Sequence, residues 1–316
     1  MRLLPLGTAA GRPTRDRFTS STLLEVPAPT ESAVRVLIDC GEAAQNRLLS
    51  VGVSPTSLDA ICCTHLHGDH VLGLPGLLAT MGMDDRQRPL RLIGPTGLSD
   101  LLDALAATPA LRIAIPLDIE EFDPAGLPDT DVTRLAPIDH LGVAIAPLDH
   151  RVPTIGFRFD ASDAPGNLDL DRLAELGVPR GPLLGALQRG EAVITPSGRT
   201  VEPSEVTGPT TAGASAAFAY DTRPCDGARA LATGVGLLVH EATFAQADAN
   251  LADRHGHATA SEAAGVASDA GATALLLTHF SMRYDSTDGL LEEAQSVFPA
   301  TELAQELVWN NVPQPG

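Results

Sequence analysis

The chain has 316 residues, of which 44% are hydrophobic and 19% charged, a composition that excludes a disordered or fibrous chain and suits one large globular domain or two. Aromatics make up only 3%, so the core must be mostly Leu, Val, Ile and Ala. The formal net charge is −19 and every one of the 21 basic residues is arginine, which argues against a surface that binds nucleic acid globally; any RNA-processing role needs local positive charge from metals or clustered arginines.

The N-terminal run Met1-Arg2-Leu3-Leu4-Pro5-Leu6-Gly7 is too short for a signal peptide, and no stretch approaches the roughly 18 apolar residues of a membrane span, so a soluble, cytoplasmic protein with no membrane partner is expected. Short apolar runs at 3–6, 21–26, 34–38, 60–63 and 91–93 read as strands, with helical spacing at 43–50 and 72–81. A second series of strands begins near Val132 and continues at 143–148, 155–159, 215–220, 237–240 and 274–278, with a helix over 258–269. The fold class is therefore α/β. The segment 160–209 interrupts the pattern with Pro, Gly and two helical pieces at 170–176 and 183–189, and reads as an arm inserted into a single domain spanning 1–316. Cys40, Cys62, Cys63 and Cys225 contain no CxxC pair and are expected to be free, buried thiols.

Chemistry concentrates at Thr64-His65-Leu66-His67-Gly68-Asp69-His70, directly after the strand at 60–63. Four groups able to ligate a metal fall within six residues, and Gly68 lets the backbone turn sharply between them. Imidazole nitrogen with carboxylate oxygen and no thiolate is the donor set of a catalytic zinc site rather than a closed structural one. Further polar residues, among them His150, Asp221 and His279, lie at the ends of predicted strands, where α/β folds usually bind ligands.

The His-x-His-x-Asp-His pattern is similar to the hallmark of the metallo-β-lactamase superfamily. The chain as a whole resembles the short ribonuclease Z family within it, through Asp39-Cys40-Gly41-Glu42-Ala43, Leu74-Pro75-Gly76-Leu77, Val239-His240-Glu241-Ala242-Thr243-Phe244, Leu277-Thr278-His279 and Asn311-Val312-Pro313. The resemblance implies an αββα sandwich and two Zn²⁺ per chain: one held by His65, His67 and His150, the other by Asp69, His70 and His279, with Asp221 bridging. It gives Asp69 a second role, orienting the attacking water or accepting its proton. It assigns protonation of the leaving 3′ oxygen to a histidine held by a glutamate, His257 and Glu241, with His255 as the fallback. His140, His240 and His255 are otherwise read as structural or solvent-exposed. Where the family pattern has Gly before the bridging aspartate, Tyr220 stands here, with consequences for pocket width or the backbone turn. The loop Pro13-Thr14-Arg15-Asp16-Arg17-Phe18 resembles a family loop near the cleavage site, making Arg15 and Arg17 substrate-contact residues. Gly181-Pro182 matches the arm motif, and the three arginines from Arg180 to Arg199, against Glu191 alone, suggest a positive tip for RNA.

The function implied is a zinc-dependent endoribonuclease, commonly homodimeric, that cuts precursor tRNA at its 3′ end. The alternatives are a phosphodiesterase acting on other or smaller diesters, another superfamily hydrolase such as a lactonase, arylsulfatase or thioesterase, and a non-catalytic scaffold. The seven competent ligand positions disfavour the scaffold, and the Glu241 and His257 pair disfavours the other hydrolases.

Overall fold

A computed structural model describes residues 1–27, 33–107, 113–163 and 166–316. Its strands, in chain order, are β1 (Arg2–Gly7), β2 (Ser21–Val26), β3 (Val34–Ile38), β4 (Ala60–Cys62), β5 (Leu90–Pro95), β6 (Leu117–Phe122), β7 (Thr133–Ile138), β8 (Leu141–Pro147) and β9 (Ile155–Ala161). There follow β10 (Val193–Ile194), β11 (Thr200–Val201), β12 (Ser215–Ala219), β13 (Leu237–Glu241), β14 (Ala274–Thr278), β15 (Thr301–Leu303) and β16 (Asn310–Asn311). The helices are α1 (Ala44–Ser50), α2 (Gly68–Val71), α3 (Leu74–Met83), α4 (Leu98–Ala106), α5 (Leu170–Glu175), α6 (Pro182–Gln188), α7 (Asp226–Ala232), α8 (Ala249–His255), α9 (Ala260–Asp269) and α10 (Asp288–Val297).

Among the described residues two seven-stranded sheets form, in the orders β16-β1-β2-β3-β4-β5-β6 and β15-β14-β13-β12-β9-β8-β7. Alternation along each strand sorts its apolar side chains to two faces. Leu3, Leu24, Val36 and Ile38 meet Phe157, Phe159, Phe218 and Leu276 between the sheets. On the outer face of the first sheet, Leu4, Leu6, Leu23 and Leu37 meet Leu48 of α1, Leu77 and Leu78 of α3 and Leu98 of α4. On the outer face of the second, Ala217, Ala219, Leu238 and Leu277 meet α7, α9 and α10. The central strands of each sheet are thus buried on both faces, which gives the αββα sandwich. In each, four consecutive strands run parallel: β3-β4-β5-β6 and β12-β13-β14-β15.

The chain divides into two compact units, residues 1–161 with 214–316, and residues 162–213. The second unit has its own small core of Leu173, Leu176, Val178, Leu187, Val193, Val201 and Val206. The sequence places the arm at 160–209, of which Ala164 and Pro165 lie outside the described residues. At its start, Asp160 and Ala161 still pair with β8 and β12 of the sandwich.

Some expectations need correction. The helix expected over 72–81 is α3, which starts two residues later at Leu74 and runs to Met83, and a separate short helix, α2, ends before it at Val71 with a break at Leu72-Gly73. The break has a steric cause: the Gly73 amide donates to Cys40 O at 2.8 Å, and a Cβ on Gly73 would collide with Gly41 O. Cys40, Cys62 and Cys63 are buried and free, but Cys225 is only half-buried.

Candidate metal centre

The polar residues gather where the parallel strands of both sheets end. Asp39 follows β3, Thr64 and His65 follow β4, Asp221 follows β12, Glu241 closes β13 and His279 follows β14. Asp39, Asp221 and His279 have φ of 56°, 48° and 57°, the left-handed region that costs non-glycine residues of order 1–3 kcal/mol and collects at functional sites. The turn after β4 is held by the Thr64 amide donating to Asp39 Oδ1 at 2.7 Å and the Ile155 amide donating to Thr64 O at 2.9 Å. α2 then carries Asp69 and His70 back against Asp39 to Gly41, with the Cys40 amide donating to His70 O at 2.7 Å. Gly41 is required by this approach, because a Cβ there would overlap Asp69 O and Thr19 Oγ1.

Two sets of ligating atoms result, the atoms of each lying within 4.8 Å of one another: His65, His67, His150 and Asp221, and Asp69, His70 and His279; Asp221, His257 and His279 form a third, overlapping group within the same distance. In the first, His65 Nε2 lies 3.0 Å from His67 Nδ1, His150 Nε2 lies 3.4 Å from the same nitrogen, and Asp221 Oδ2 lies 3.5 Å from His65 Nε2 and 3.9 Å from His150 Nε2. In the second, His70 Nε2 and His279 Nε2 are 3.4 Å apart and lie 3.4 and 3.5 Å from Asp69 Oδ2. Asp221 Oδ1 faces this second set, at 3.3 Å from His70 Nε2 and 3.2 Å from His279 Nε2. Each oxygen of Asp221 therefore serves a different set.

These spacings match the ligand-to-ligand edge of a tetrahedron around zinc, about 3.3 Å for bonds near 2.0–2.1 Å. Asp221 is 2% exposed, and its Oδ1 is buried without a hydrogen-bond partner among the described residues. An orphaned carboxylate oxygen at this depth is costly unless a cation meets it. The residues present fit a pair of divalent metal ions.

Charge and tautomer agree with that fit. Burial holds His65, His67 and His150 below the ordinary histidine value, keeping them as neutral imidazoles able to ligate. His70 is the exception: burial opposes its protonation, but Asp221 and Asp39 on either side outweigh burial and raise it. Hydrogen bonds at the other ring nitrogens set the tautomers. Thr64 Oγ1 donates to Asp39 Oδ2 at 2.9 Å and accepts from His65 Nδ1 at 3.1 Å. Thr243 Oγ1 likewise donates to Glu241 Oε2 at 2.5 Å and accepts from His279 Nδ1 at 2.9 Å. His70 Nδ1 donates to Asp39 Oδ2 and His150 Nδ1 to Gly256 O, both at 2.7 Å. Every one of these four rings turns its Nε2 to the cluster.

Beside the two sets, His257 Nδ1 lies 2.8 Å from Glu241 Oε1. Glu241 is fully buried and also accepts from the Thr222 amide at 2.8 Å and the Thr243 amide at 3.2 Å. Burial opposes protonation of His257, but the facing Glu241 carboxylate prevails and raises its pKa to about 9. The His257 ring stacks at an angle against His150 and His279, with centroids 5.2 and 5.5 Å away, so it borders both sets. His255, the fallback, instead stacks on Phe244 at 6.4 Å. His240 is buried with its Nδ1 against Glu241 O, and His140 lies beside Asp139.

The seven ligand positions and the Glu241 and His257 pair thus converge. Arg17 lies over the Phe280 ring at 5.3 Å, next to His279, and Arg15 is exposed on the same loop. Gly181 and Pro182 belong to the second unit. In that unit two of the three arginines expected to charge the tip are neutralised, Arg189 by Glu191 and Arg199 by Glu205. Tyr220 does not narrow the pocket: its ring is buried between the sheets, edge-on to Phe218, and its hydroxyl meets Thr22 Oγ1 at 2.9 Å. Sequence reasoning missed Asp39, Thr64, Thr222 and Thr243 as supports of the site. The signal for Asp39 was there, a buried-strand end like those of the ligands themselves.

The solved structure of the metallo-β-lactamase fold protein YhfI from Bacillus subtilis superposes with a TM-score of 0.66 at 18% identity, covering 98% of each chain. That of human tRNase Z, short form, superposes with a TM-score of 0.70 at 24% identity, covering 99% of this chain and 100% of the other. Fold and site together define a protein of the metallo-β-lactamase fold with a candidate metal centre. A family model described as anti-Pycsar protein Apyc1 matches residues 1–110. Ribonuclease Z of Salinibacter ruber is 46% identical over 307 residues, covering 96% of this chain and 92% of the relative. The chain belongs to the ribonuclease Z family.

Proposed function

We propose that the protein is a metal-dependent endoribonuclease that removes the 3′ trailer from precursor tRNA, leaving a 3′-hydroxyl on the tRNA and a 5′-phosphate on the trailer. The observation that carries this reading is the Glu241–His257 pair bordering two ligand sets that share Asp221, in a chain 46% identical to a ribonuclease Z.

His65, His67, His150 and Asp221 Oδ2 would hold one cation, and Asp69, His70, His279 and Asp221 Oδ1 the other; imidazole and carboxylate donors without thiolate favour Zn²⁺, two per chain. Bound there, such a pair supplies a water nucleophile at neutral pH and neutralises charge on the phosphodiester. The remaining steps fall to this chain's own side chains. Asp69 Oδ2, fixed by the Gly11 amide at 2.7 Å, orients the water or accepts its proton. His257, with Nδ1 committed to Glu241, offers the proton on Nε2 to the departing 3′ oxygen, and Glu241 stabilises the imidazolium that gives it.

In this reading, supported by the family resemblance, Arg15 and Arg17 would meet phosphates next to the scissile bond, and residues 162–213, with Gly181 and Pro182, would be the arm that grips the tRNA elbow. A homodimer in the cytoplasm completes the reading, supported by the family resemblance; no described helix is long and apolar enough to cross a membrane. The second reading, a phosphodiesterase of smaller diesters, is favoured by the net charge of −19 and the paired arm arginines. Incubating the zinc-loaded protein with precursor tRNA and with an aryl phosphodiester, and mapping the products, tests both. A cut at the tRNA 3′ end supports the first, and turnover of the aryl diester alone supports the second.

A further inference from the structure

Between β1 and β2 the hairpin opens into a long loop, and one carboxylate from the far end of the chain holds both of its ends. Glu306 lies between β15 and β16, its side chain only 10% exposed. Its Oε1 accepts from the Thr8 amide at 3.1 Å, the Thr8 hydroxyl at 3.3 Å and the Phe18 amide at 2.8 Å. Its Oε2 accepts from Arg47 Nη2 at 2.7 Å. The same guanidinium covers the Phe18 ring at 4.4 Å and donates through Nε to Leu6 O at 3.0 Å. Thr8 and Phe18 are the two feet of the loop, and the Glu306 carboxylate joins them beside the bond from the Ala9 amide to Phe18 O at 2.8 Å.

Backbone bonds also tie the base of the loop, from the Ala9 amide to Phe18 O at 2.8 Å, the Ala10 amide to Phe280 O at 3.1 Å and the Phe280 amide to Thr8 O at 2.8 Å, whereas a cavity of about 420 Å³, lined by Thr8, Asp16, Arg17, Phe280 and Glu306 among others, lies against the loop. The loop reaches the reaction centre at Gly11, whose amide donates to Asp69 Oδ2 at 2.7 Å, and it carries Arg15 and Arg17. A charge-assisted network of four donors on one buried carboxylate is strong enough to choose a single loop conformation.

We infer that Glu306 is a positioning residue for substrate recognition: its carboxylate pins Thr8 and Phe18, so that the loop presents Arg15 and Arg17 to the RNA backbone. Glu306 touches neither substrate nor the ligand sets; it acts through the loop. The inference rests on the proposed RNA substrate for its kinetic consequence, but not for its structural one.

The test compares the zinc-loaded full chain with Glu306→Ala and Glu306→Gln. Gln keeps an oxygen for the two backbone amides and loses the ion pair with Arg47; Ala loses both. Limited trypsin digestion reads the loop directly, because Arg15 and Arg17 are cleavage sites within it. In Glu306→Ala, cleavage there accelerates about tenfold or more, as expected for losing the four hydrogen bonds to the carboxylate. KM for precursor tRNA rises about tenfold while kcat changes by less than about threefold, with zinc content unchanged, and Glu306→Gln recovers most of both effects. Unchanged proteolysis at Arg15 and Arg17 in Glu306→Ala overturns the inference, and so does a loss carried wholly by kcat. If the wild-type chain does not cleave precursor tRNA, the proposed function fails, yet the digestion still decides whether Glu306 holds the loop.

Discussion

The pairing of His257 with Glu241 makes a quantitative prediction about the leaving group. Replacing Glu241 by Ala would strand the Thr222 amide, the Thr243 amide and hydroxyl, and His257 Nδ1, each a buried donor worth roughly 1–3 kcal/mol when unpaired, so that variant confuses folding with catalysis. Glu241→Gln does not. Its carbonyl can face Thr222 and His257, its amide can face Thr243 Oγ1, and the Thr243 hydroxyl can turn to His279 O, already at 3.1 Å, so that only the Thr243 amide, at 3.2 Å from Oε2, loses its acceptor. What it loses beyond that is charge: a hydrogen bond to a carboxylate contributes about 1–2 kcal/mol more than one to an amide, which predicts a loss of about 5- to 30-fold in single-turnover cleavage of precursor tRNA. His257→Ala removes the proton donor and should cost about 10² to 10⁴-fold. The assay is cleavage of a precursor with the ordinary 3′ oxygen against one carrying sulfur at the same bridging position, whose thiolate leaves without protonation. Both variants should cleave the sulfur substrate within about threefold of wild type. If the losses are equal on the two substrates, the pair supports metal geometry through Thr243 and His279, and the assignment of His257 as general acid is wrong.

Further outcomes follow from the same geometry. Because the two oxygens of Asp221 face different ligand sets, Asp221→Ala should retain less than one zinc per chain by elemental analysis and show no measurable turnover; full occupancy with near-normal rates would remove Asp221 from the site. Chelating the metal exposes the orphaned Asp221 Oδ1 to an unpaired state, so thermal unfolding should drop by more than about 5 °C and recover when zinc is restored, an unchanged midpoint counting against tight binding. Residues 162–213 carry their own core, and the Ala161 amide already donates to Ala214 O at 2.9 Å, so a short linker can replace them. That deletion should leave aryl diester hydrolysis and zinc content intact while raising KM for precursor tRNA at least about tenfold and flattening its salt dependence. Unchanged precursor kinetics would dismiss the arm as an RNA-binding element.

Period-two patterning in the sequence already places every strand of the first sheet from β1 to β5, because alternating Leu, Val and Ile sort to two buried faces whatever their partners. It also shows the cluster from His65 to His70, since ligands six residues apart need no long-range fold to be recognised. β6 was not legible: Leu117 to Phe122 holds three carboxylates and lies largely exposed at the sheet edge, so its pairing with β5 rather than its composition makes it a strand. α4, α7, α8 and α10 went unread as well, short helices that owe their place to packing on the sheets. The break at Gly73 depends on the approach of Cys40 and Gly41 from 30 residues away, and no local rule carries that contact. Tyr220 shows the same limit, because whether its ring lines the pocket or the core is decided by Phe218 and Thr22 on two different sheets. Asp39 and Thr243 act only through His70 and His279, so their part in the site exists only once the strand ends meet. Residue types and local spacing determined which chemistry this chain can perform; which side chains support it was decided by tertiary contacts, since hydrogen bonds act over about 3 Å and the sequence does not say which distant residues come that close.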